Sequence, residues 1–138
     1  MLTEYVRGWL SALIDGEGSL TLACHRARGS NMGWWRPLLD IGNTNLDLLK
    51  TAQRLIGAGN ISYHRGKLNH KDWYLLEVTS GGLRVVLPQL GLIVKEKQRL
   101  LLIEALKLLE NKHGRDRRDE RLSEIWTEMK CLNRKGRP

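Results

Sequence analysis

The stretch LSALIDGEGSL, residues 10–20, constrains the fold of this chain more than any other segment. Apolar residues recur at helical spacing up to Ile14 and then alternate, as in a half-buried strand, from Leu20 onward. A helix therefore passes almost directly into a strand, and Asp15 and Glu17 lie at the junction. Because the C-terminus of a helix carries partial negative charge, it disfavours carboxylates. Two acids at this point indicate that a positively charged partner binds there.

The composition predicts a folded intracellular protein. The chain has 138 residues, 41% of them hydrophobic, which is enough for a core, and its apolar runs are too short to span a bilayer. No leader peptide is evident, and Cys24 and Cys131 have neither disulfide nor zinc spacing. We expect one domain over residues 1–138, with 134–138 as a basic tail. The protein is expected to be cytoplasmic or organellar, not secreted and not membrane-bound.

The charge balance favours a nucleic-acid partner. Lys and Arg number 23 against 15 Asp and Glu, which gives a formal net charge of +8. Such a chain binds phosphates and releases their counterions. Charge alone also fits a basic protein with an unrelated role, since it governs association and not fold.

The remaining segments predict an α+β fold in the order α-β-β-α-β-β-α, with additional helix at the end. Alternating residues predict two pairs of strands, and Gly-rich or polar stretches separate them. The helix between the pairs is expected to begin at Thr44 or Asn45 and to end at Gly57. A short helical stretch that breaks near Pro88 and two longer helices complete the chain.

The nine residues LSALIDGEG, 10–18, resemble the LAGLIDADG signature of homing endonucleases. They share its leucine, small pair, hydrophobic pair, Asp, small residue, acid and Gly. They differ in Ser11-Ala12, where Ala-Gly is usual, and in Glu17, where Asp is commoner. The αββαββα order is also that of this family, so the resemblance extends over most of the chain. It implies the homing-endonuclease fold, with a four-stranded antiparallel DNA-binding sheet and an additional C-terminal helix.

The resemblance implies a site-specific endonuclease that hydrolyses both strands of DNA with Mg²⁺. Mn²⁺ is expected to substitute, and Ca²⁺ to bind without supporting cleavage. Carried over onto the motif, Glu17 is the metal-binding carboxylate and the carbonyl of Gly16 is a further ligand. The resemblance also places a basic residue beside the metal, with Lys95 the first candidate and Lys97 the second, and a polar side chain near the attacking water, for which we choose Asn43. The ordinary alternatives are an acid-capped turn, a solvated lysine and a helix cap.

Members of the family with a single motif act as homodimers, and the first helix has a second face that suits such contact. The small face at spacings of three and four consists of Gly8, Ser11, Ala12 and Asp15. Small residues let a second helix approach closely, and a two-fold axis places the same face against itself. We therefore expect these four residues at the dimer interface.

The sheet is expected to read DNA in the major groove through alternate residues. By alternation, the outward set is Thr21, Ala23, His25, Trp34, Arg36, Asp40, Asn60, Ser62, His64 and Tyr74. Three basic residues near hairpin tips, Arg28, Lys67 and Lys71, are expected to hold phosphates. A register shift of one residue would exchange the two faces. By resemblance, the target is long and near-palindromic double-stranded DNA.

Three alternatives remain open from the sequence. The family also contains maturases that bind their own intron RNA, and nothing in the sequence excludes that activity. A non-catalytic DNA-binding protein on the same fold tends to lose the motif acids, so Glu17 argues against it. A structural dimerisation module would show no salt-dependent binding to DNA.

Overall fold

The computed structural model describes residues 1–26, 33–111 and 115–134 of the chain. Its elements are α1 (Glu4–Glu17), β1 (Gly18–Arg26), β2 (Gly33–Asn43), α2 (Leu46–Ile56), β3 (Asn60–His64), β4 (Trp73–Val78), α3 (Ser80–Val86), a 3₁₀ turn (Leu87–Gln89), α4 (Glu96–Glu110) and α5 (Arg115–Arg134). The predicted α+β order is confirmed, including the additional C-terminal helix. Residues 135–138 of the expected basic tail lie outside the described residues.

Local sequence signals set the ends of the first two helices. The Thr3 side chain accepts a hydrogen bond from the amide of Val6 and caps α1. Asn45 caps α2 in the same way, and Gly57 ends it in the left-handed conformation with φ 80°. These two signals confirm the predicted boundaries of α2.

The four strands form one antiparallel sheet in the order β1-β2-β4-β3. Leu20 pairs with Leu39, and Leu76 lies between Ile41 and Ile61 in the ladder. The helices bury this face, and Leu20, Leu39, Ile41 and Leu76 are fully buried. The opposite face, which we call the outer face, carries the alternate residues of each strand.

The outer face differs from the predicted one at Tyr74. Tyr74 is paired with Tyr63 and packs against the core together with Leu76 and Val78. The prediction was wrong because two adjacent leucines, at 75 and 76, do not show which of them faces the core. Leu76 and Val78 are buried, so Tyr74, on the same side of the strand, faces the helices. The outer face of β4 consists of Trp73, Leu75 and Glu77.

None of the helices in the described ranges is both long and apolar enough to cross a bilayer.

Candidate active site

The junction between α1 and β1 requires glycine at position 18. The amide of Gly18 donates to the carbonyl of Ile14, which ends α1. A Cβ on Gly18 would lie 2.9 Å from that same carbonyl oxygen, closer than side chains come in proteins. The glycine therefore lets the chain pass at once from helix to strand, with Glu17 as the last helical residue.

The Asp15 carboxylate binds the start of α4 within the same chain. It accepts hydrogen bonds from the backbone amides of Ile93 at 2.7 Å, Val94 at 3.1 Å and Lys95 at 3.0 Å. Lys95 is the residue directly before α4, so these amides belong to the positive end of that helix. The positive partner of Asp15 is thus the N-terminus of α4.

The Lys95 ammonium provides the opposite interaction at the end of α1. Its Nζ donates to the carbonyl of Asp15 at 2.5 Å and to that of Ile14 at 3.3 Å. A cation is favourable at the negative end of a helix, where the last carbonyls lack intrahelical partners. The ends of α1 and α4 therefore neutralise each other. Lys95 is held at the carbonyl of Asp15, which precedes Glu17 by two residues in the chain.

Lys97, the second candidate, is exposed and lines a groove of about 670 Å³ beside Leu132 and Asn133. The carboxylate of Glu96 accepts hydrogen bonds from Arg99 and from the amide of Leu92. The hydrogen bonds from Arg99 are the main cause that lowers the pKa of Glu96. These contacts fix the loop that carries Ile93 and Val94 at the end of α1.

Glu17 has no partner among the residues that the structure describes. Its side chain is exposed, in contrast to that of Asp15. Gly16 is also exposed, and its carbonyl is one of the last in the helix. Mg²⁺ prefers such hard oxygen ligands and binds through one or two carboxylates, keeping several waters. Nowhere in the described ranges do three or more His, Cys, Asp or Glu form a metal-binding group, so one chain offers a partial donor set that fits Mg²⁺.

Asn43 lies at the same end of the sheet as Glu17. It is two residues beyond Ile41, which pairs with Gly18 at the start of β1. Its Oδ1 accepts a hydrogen bond from the amide of Asn45 at 2.8 Å. The side chain therefore stabilises the turn into α2 with its oxygen and leaves its amide nitrogen available.

The outer face carries a group of charged side chains that sequence reasoning found only in part. Arg36 Nη2 donates to Glu77 Oε1 at 2.8 Å, and Asp40 lies opposite Glu77 in the ladder. Burial raises the pKa of Asp40, nearby Glu77 raises it further, and Arg36 partly offsets the shift. Glu77 was missed, although its charge within DWYLLEV indicates which residues of β4 face outward.

Two His–Trp pairs also lie on the outer face. His25 and Trp34 are opposite each other with ring centroids 5.3 Å apart, and His64 stacks on Trp73 at 4.2 Å. Ser62 Oγ lies 3.0 Å from His64 Nε2. The other predicted members that the structure places on this face are Thr21, Ala23, Arg36, Asp40 and Asn60. Trp73 is a further member that the sequence prediction missed.

The β3–β4 loop presents basic side chains on a fixed backbone. Lys67 and Lys71 are exposed. Asp72 accepts hydrogen bonds from the Tyr63 hydroxyl at 2.5 Å and from the amide of Gly66 at 2.8 Å. The hydrogen bond from Tyr63 is the main cause that lowers the pKa of Asp72. Arg28, the third predicted phosphate contact, lies outside the described residues.

The structure corrects the predicted contact face of α1. Ser11 is buried, and its Oγ accepts a hydrogen bond from the amide of Gly91 at 3.3 Å. Asp15 is bound by α4, so both residues face their own chain. The exposed small residues are Gly8, Ala12 and Gly16, spaced by four. The two glycines adjoin open space, since a Cβ on either would meet nothing within 4 Å.

Solved structures share this architecture. The archaeal intron-encoded homing endonuclease I-Vdi141I, complexed with DNA, aligns with a TM-score of 0.82 at 23% identity, over 97% of this chain and 87% of its own. The homing endonuclease I-CvuI, in complex with a DNA target in the presence of Mg, aligns with a TM-score of 0.80 at 18% identity, over 98% and 87%. The LAGLIDADG homing endonuclease I-GzeII, also with its DNA target, aligns with a TM-score of 0.72 at 13% identity, over 91% of this chain but 44% of its own.

The chain has the LAGLIDADG homing-endonuclease fold. No protein-family model and no curated protein matches the sequence, so the likeness rests on structure. In this fold, α1 is the motif helix and the outer face belongs to the four-stranded sheet. The chain spans most of I-Vdi141I and I-CvuI but less than half of I-GzeII.

Proposed function

We propose that this protein is a site-specific endonuclease that cuts both strands of a long, near-palindromic DNA target as a homodimer. The observation that carries the proposal is the exposed Glu17 carboxylate, unpartnered among the described residues, at the end of the motif helix whose Asp15 carbonyl binds the ammonium of Lys95. The net charge of +8 and a fold shared with endonucleases bound to DNA support it.

The active site follows from the roles that the chain can fill. The Glu17 carboxylate and the Gly16 carbonyl would hold a divalent cation, which we expect to be Mg²⁺. When bound, such a cation supplies positive charge beside the scissile phosphate and makes a water molecule a better nucleophile. The Lys95 ammonium, held by two carbonyls, adds a fixed positive charge next to that phosphate. Asn43 is the candidate for orienting the attacking water through its amide nitrogen.

Two glycines of α1 support the homodimer, because no contact within the described part of the chain requires a glycine at either position. Glycine inside a helix costs about 1 kcal/mol relative to alanine, and Gly8 and Gly16 adjoin only open space. A second α1 packed along Gly8, Ala12 and Gly16 accounts for them, because only small side chains let two helix backbones approach closely. The neighbouring loop adds apolar surface, since Ile93 is 91% and Val94 72% exposed.

A two-fold axis along this contact also explains why one chain carries a partial donor set. The axis places the ends of two α1 helices side by side, and with them two Glu17 carboxylates. Each copy then contributes one carboxylate, one carbonyl and one lysine, and the dimer has a set for each DNA strand.

Glu17→Gln tests the proposal. A binding site is first selected from random duplex DNA in Ca²⁺, and cleavage of that site is then measured in Mg²⁺. The wild type should cut both strands. The Gln variant should melt and bind DNA in Ca²⁺ as the wild type does, whereas cleavage should fall by orders of magnitude, since the charge that holds the cation is gone.

Glu128→Gln, at an exposed position on α5, is the matched control and should cut normally. Wild-type cleavage by the Glu17→Gln homodimer would remove Glu17 from the mechanism. A wild-type protein that selects no sequence and cuts no DNA would refute the endonuclease itself.

A further inference from the structure

Arg36 and Glu77 form a donor–acceptor pair at the middle of the outer face. They come from neighbouring strands β2 and β4, and the hydrogen bond between Nη2 and Oε1 is 2.8 Å long. Their side chains are 42% and 33% exposed, so solvent and DNA can reach both. An ion pair with this exposure adds little to the stability of the fold. Its two side chains are therefore available for recognition of a ligand.

Both partners keep unused hydrogen-bonding capacity. A guanidinium has five N–H donors in one plane, and a carboxylate oxygen accepts more than one hydrogen bond. Within the described ranges, the hydrogen bond to Glu77 is the one that Arg36 makes, and Glu77 Oε2 makes none. The pair therefore presents free donors next to a free acceptor.

Asp40 adds a second carboxylate next to the Glu77 acceptor. It lies directly opposite Glu77 in the ladder, and the Arg36 guanidinium binds Glu77, so two carboxylates and one guanidinium share this part of the outer face. Its Oδ1 is buried and has no hydrogen-bond partner. That oxygen is not accessible to DNA, but the two carboxylates outnumber the one guanidinium and make this part of the outer face locally negative, on a chain with a net charge of +8. The negative charge favours a ligand whose N–H donor reaches the exposed Glu77 carboxylate.

We propose that Arg36 and Glu77 together read one G·C base pair in each half of the target; this rests on the proposed function. In the major groove, guanine presents two acceptors, N7 and O6, and cytosine presents the N4 amino donor. Free N–H groups of Arg36 match guanine, and the adjacent Glu77 oxygen matches cytosine. An A·T pair presents its N6 donor between the two acceptors N7 and O4, so it lacks the two adjacent acceptors that a bidentate contact from Arg36 requires.

Glu77 has a second effect in this arrangement, because its hydrogen bond orients the guanidinium. An arginine held in one plane loses less conformational entropy when it forms two parallel hydrogen bonds. Glu77 is therefore both a base contact and a positioning residue for Arg36.

The test compares base preferences at every position of the target for the wild type, Arg36→Ala and Glu77→Gln, by binding to a DNA library in Ca²⁺. Both variants should lose the preference for G·C at the same symmetry-related pair of positions, by about tenfold, and keep the preferences elsewhere. Glu110→Gln is the control, since it breaks an exposed ion pair with Arg84 of 3.0 Å away from the sheet. It should leave the whole profile unchanged.

A double variant, Arg36→Glu with Glu77→Arg, separates recognition from folding. It restores an ion pair but exchanges donor and acceptor, so it should fold and yet lose the wild-type preference at that position. Wild-type preference in this variant, or unchanged preferences in both single variants, would overturn the inference. A wild type with no sequence preference at any position would instead refute the proposed function.

Discussion

Asp40 lies on the outer face with one carboxylate oxygen that is buried and has no hydrogen-bond partner. Burial and the neighbouring Glu77 raise its pKa, so the ionised form is less favourable in the folded protein than in the unfolded chain. Residues that lower stability in this way are typical of functional sites. At the scale of single residues, Asp40 is therefore a cost to the stability of the fold, as expected for a residue of the proposed DNA-binding surface.

Asp40→Asn should therefore raise the free energy of unfolding at pH 7. Because the folded pKa is above the unfolded one, ionised Asp40 lowers stability above the folded pKa, and this cost is absent below the unfolded pKa. The gain in Asp40→Asn should shrink as the pH falls through this range. Urea denaturation between pH 3 and 8 measures this gain in the free energy of unfolding, with Glu120→Gln at an exposed position as control. A gain that does not change with pH would contradict this explanation.

Asp15 and Glu17 show what the sequence could and could not predict about the site. The motif identified both acids, and their opposite environments come from residues about 80 positions away in the chain, at the start of α4. The sequence placed Lys95 next to the motif only through the family resemblance. No local pattern predicts that its ammonium binds the carbonyls at the end of α1.

At the scale of elements, patterns with a clear period were reliable. The ends of α2 and the buried faces of β1 and β2 followed from caps and from alternation. The predicted outward face of β4 was wrong because two adjacent leucines fit either alternation, and burial against the helices determines which of them faces the core. The predicted contact face of α1 was wrong at Ser11 for a similar reason, since Ser11 is small enough for an interface but contacts Gly91 of its own chain.

The corrected face of α1 predicts the effect of Ala12→Leu. Ala12 is exposed, so a leucine fits the isolated chain without strain, but it blocks the close approach of a second α1. We expect a folded monomer that no longer cuts both strands, detected by sedimentation, circular dichroism and cleavage assays. Lys50→Leu adds the same exposed side chain on α2 and should remain dimeric. An Ala12→Leu dimer of wild-type affinity would exclude this face as the interface.

At the scale of the whole molecule, two surfaces meet at one end of α1. The outer face, with its His–Trp pairs and the Arg36–Glu77 pair, extends from Gly18 along the sheet. The small face of α1 ends at Gly16, one residue before Glu17. In the proposed dimer, a second copy on that face would continue the outer face across the two-fold axis. DNA along the combined surface would then pass both copies of Glu17.

Dimers with one wild-type and one Glu17→Gln subunit test this account most directly. Such dimers are purified through two different tags, and cleavage of each strand of the selected target is followed in Mg²⁺. These dimers should lose double-strand cleavage, because cutting both strands needs both carboxylates. A nick in one strand would indicate one site per strand, and loss of both cuts would indicate a shared site. Cleavage of both strands at the wild-type rate would contradict the account.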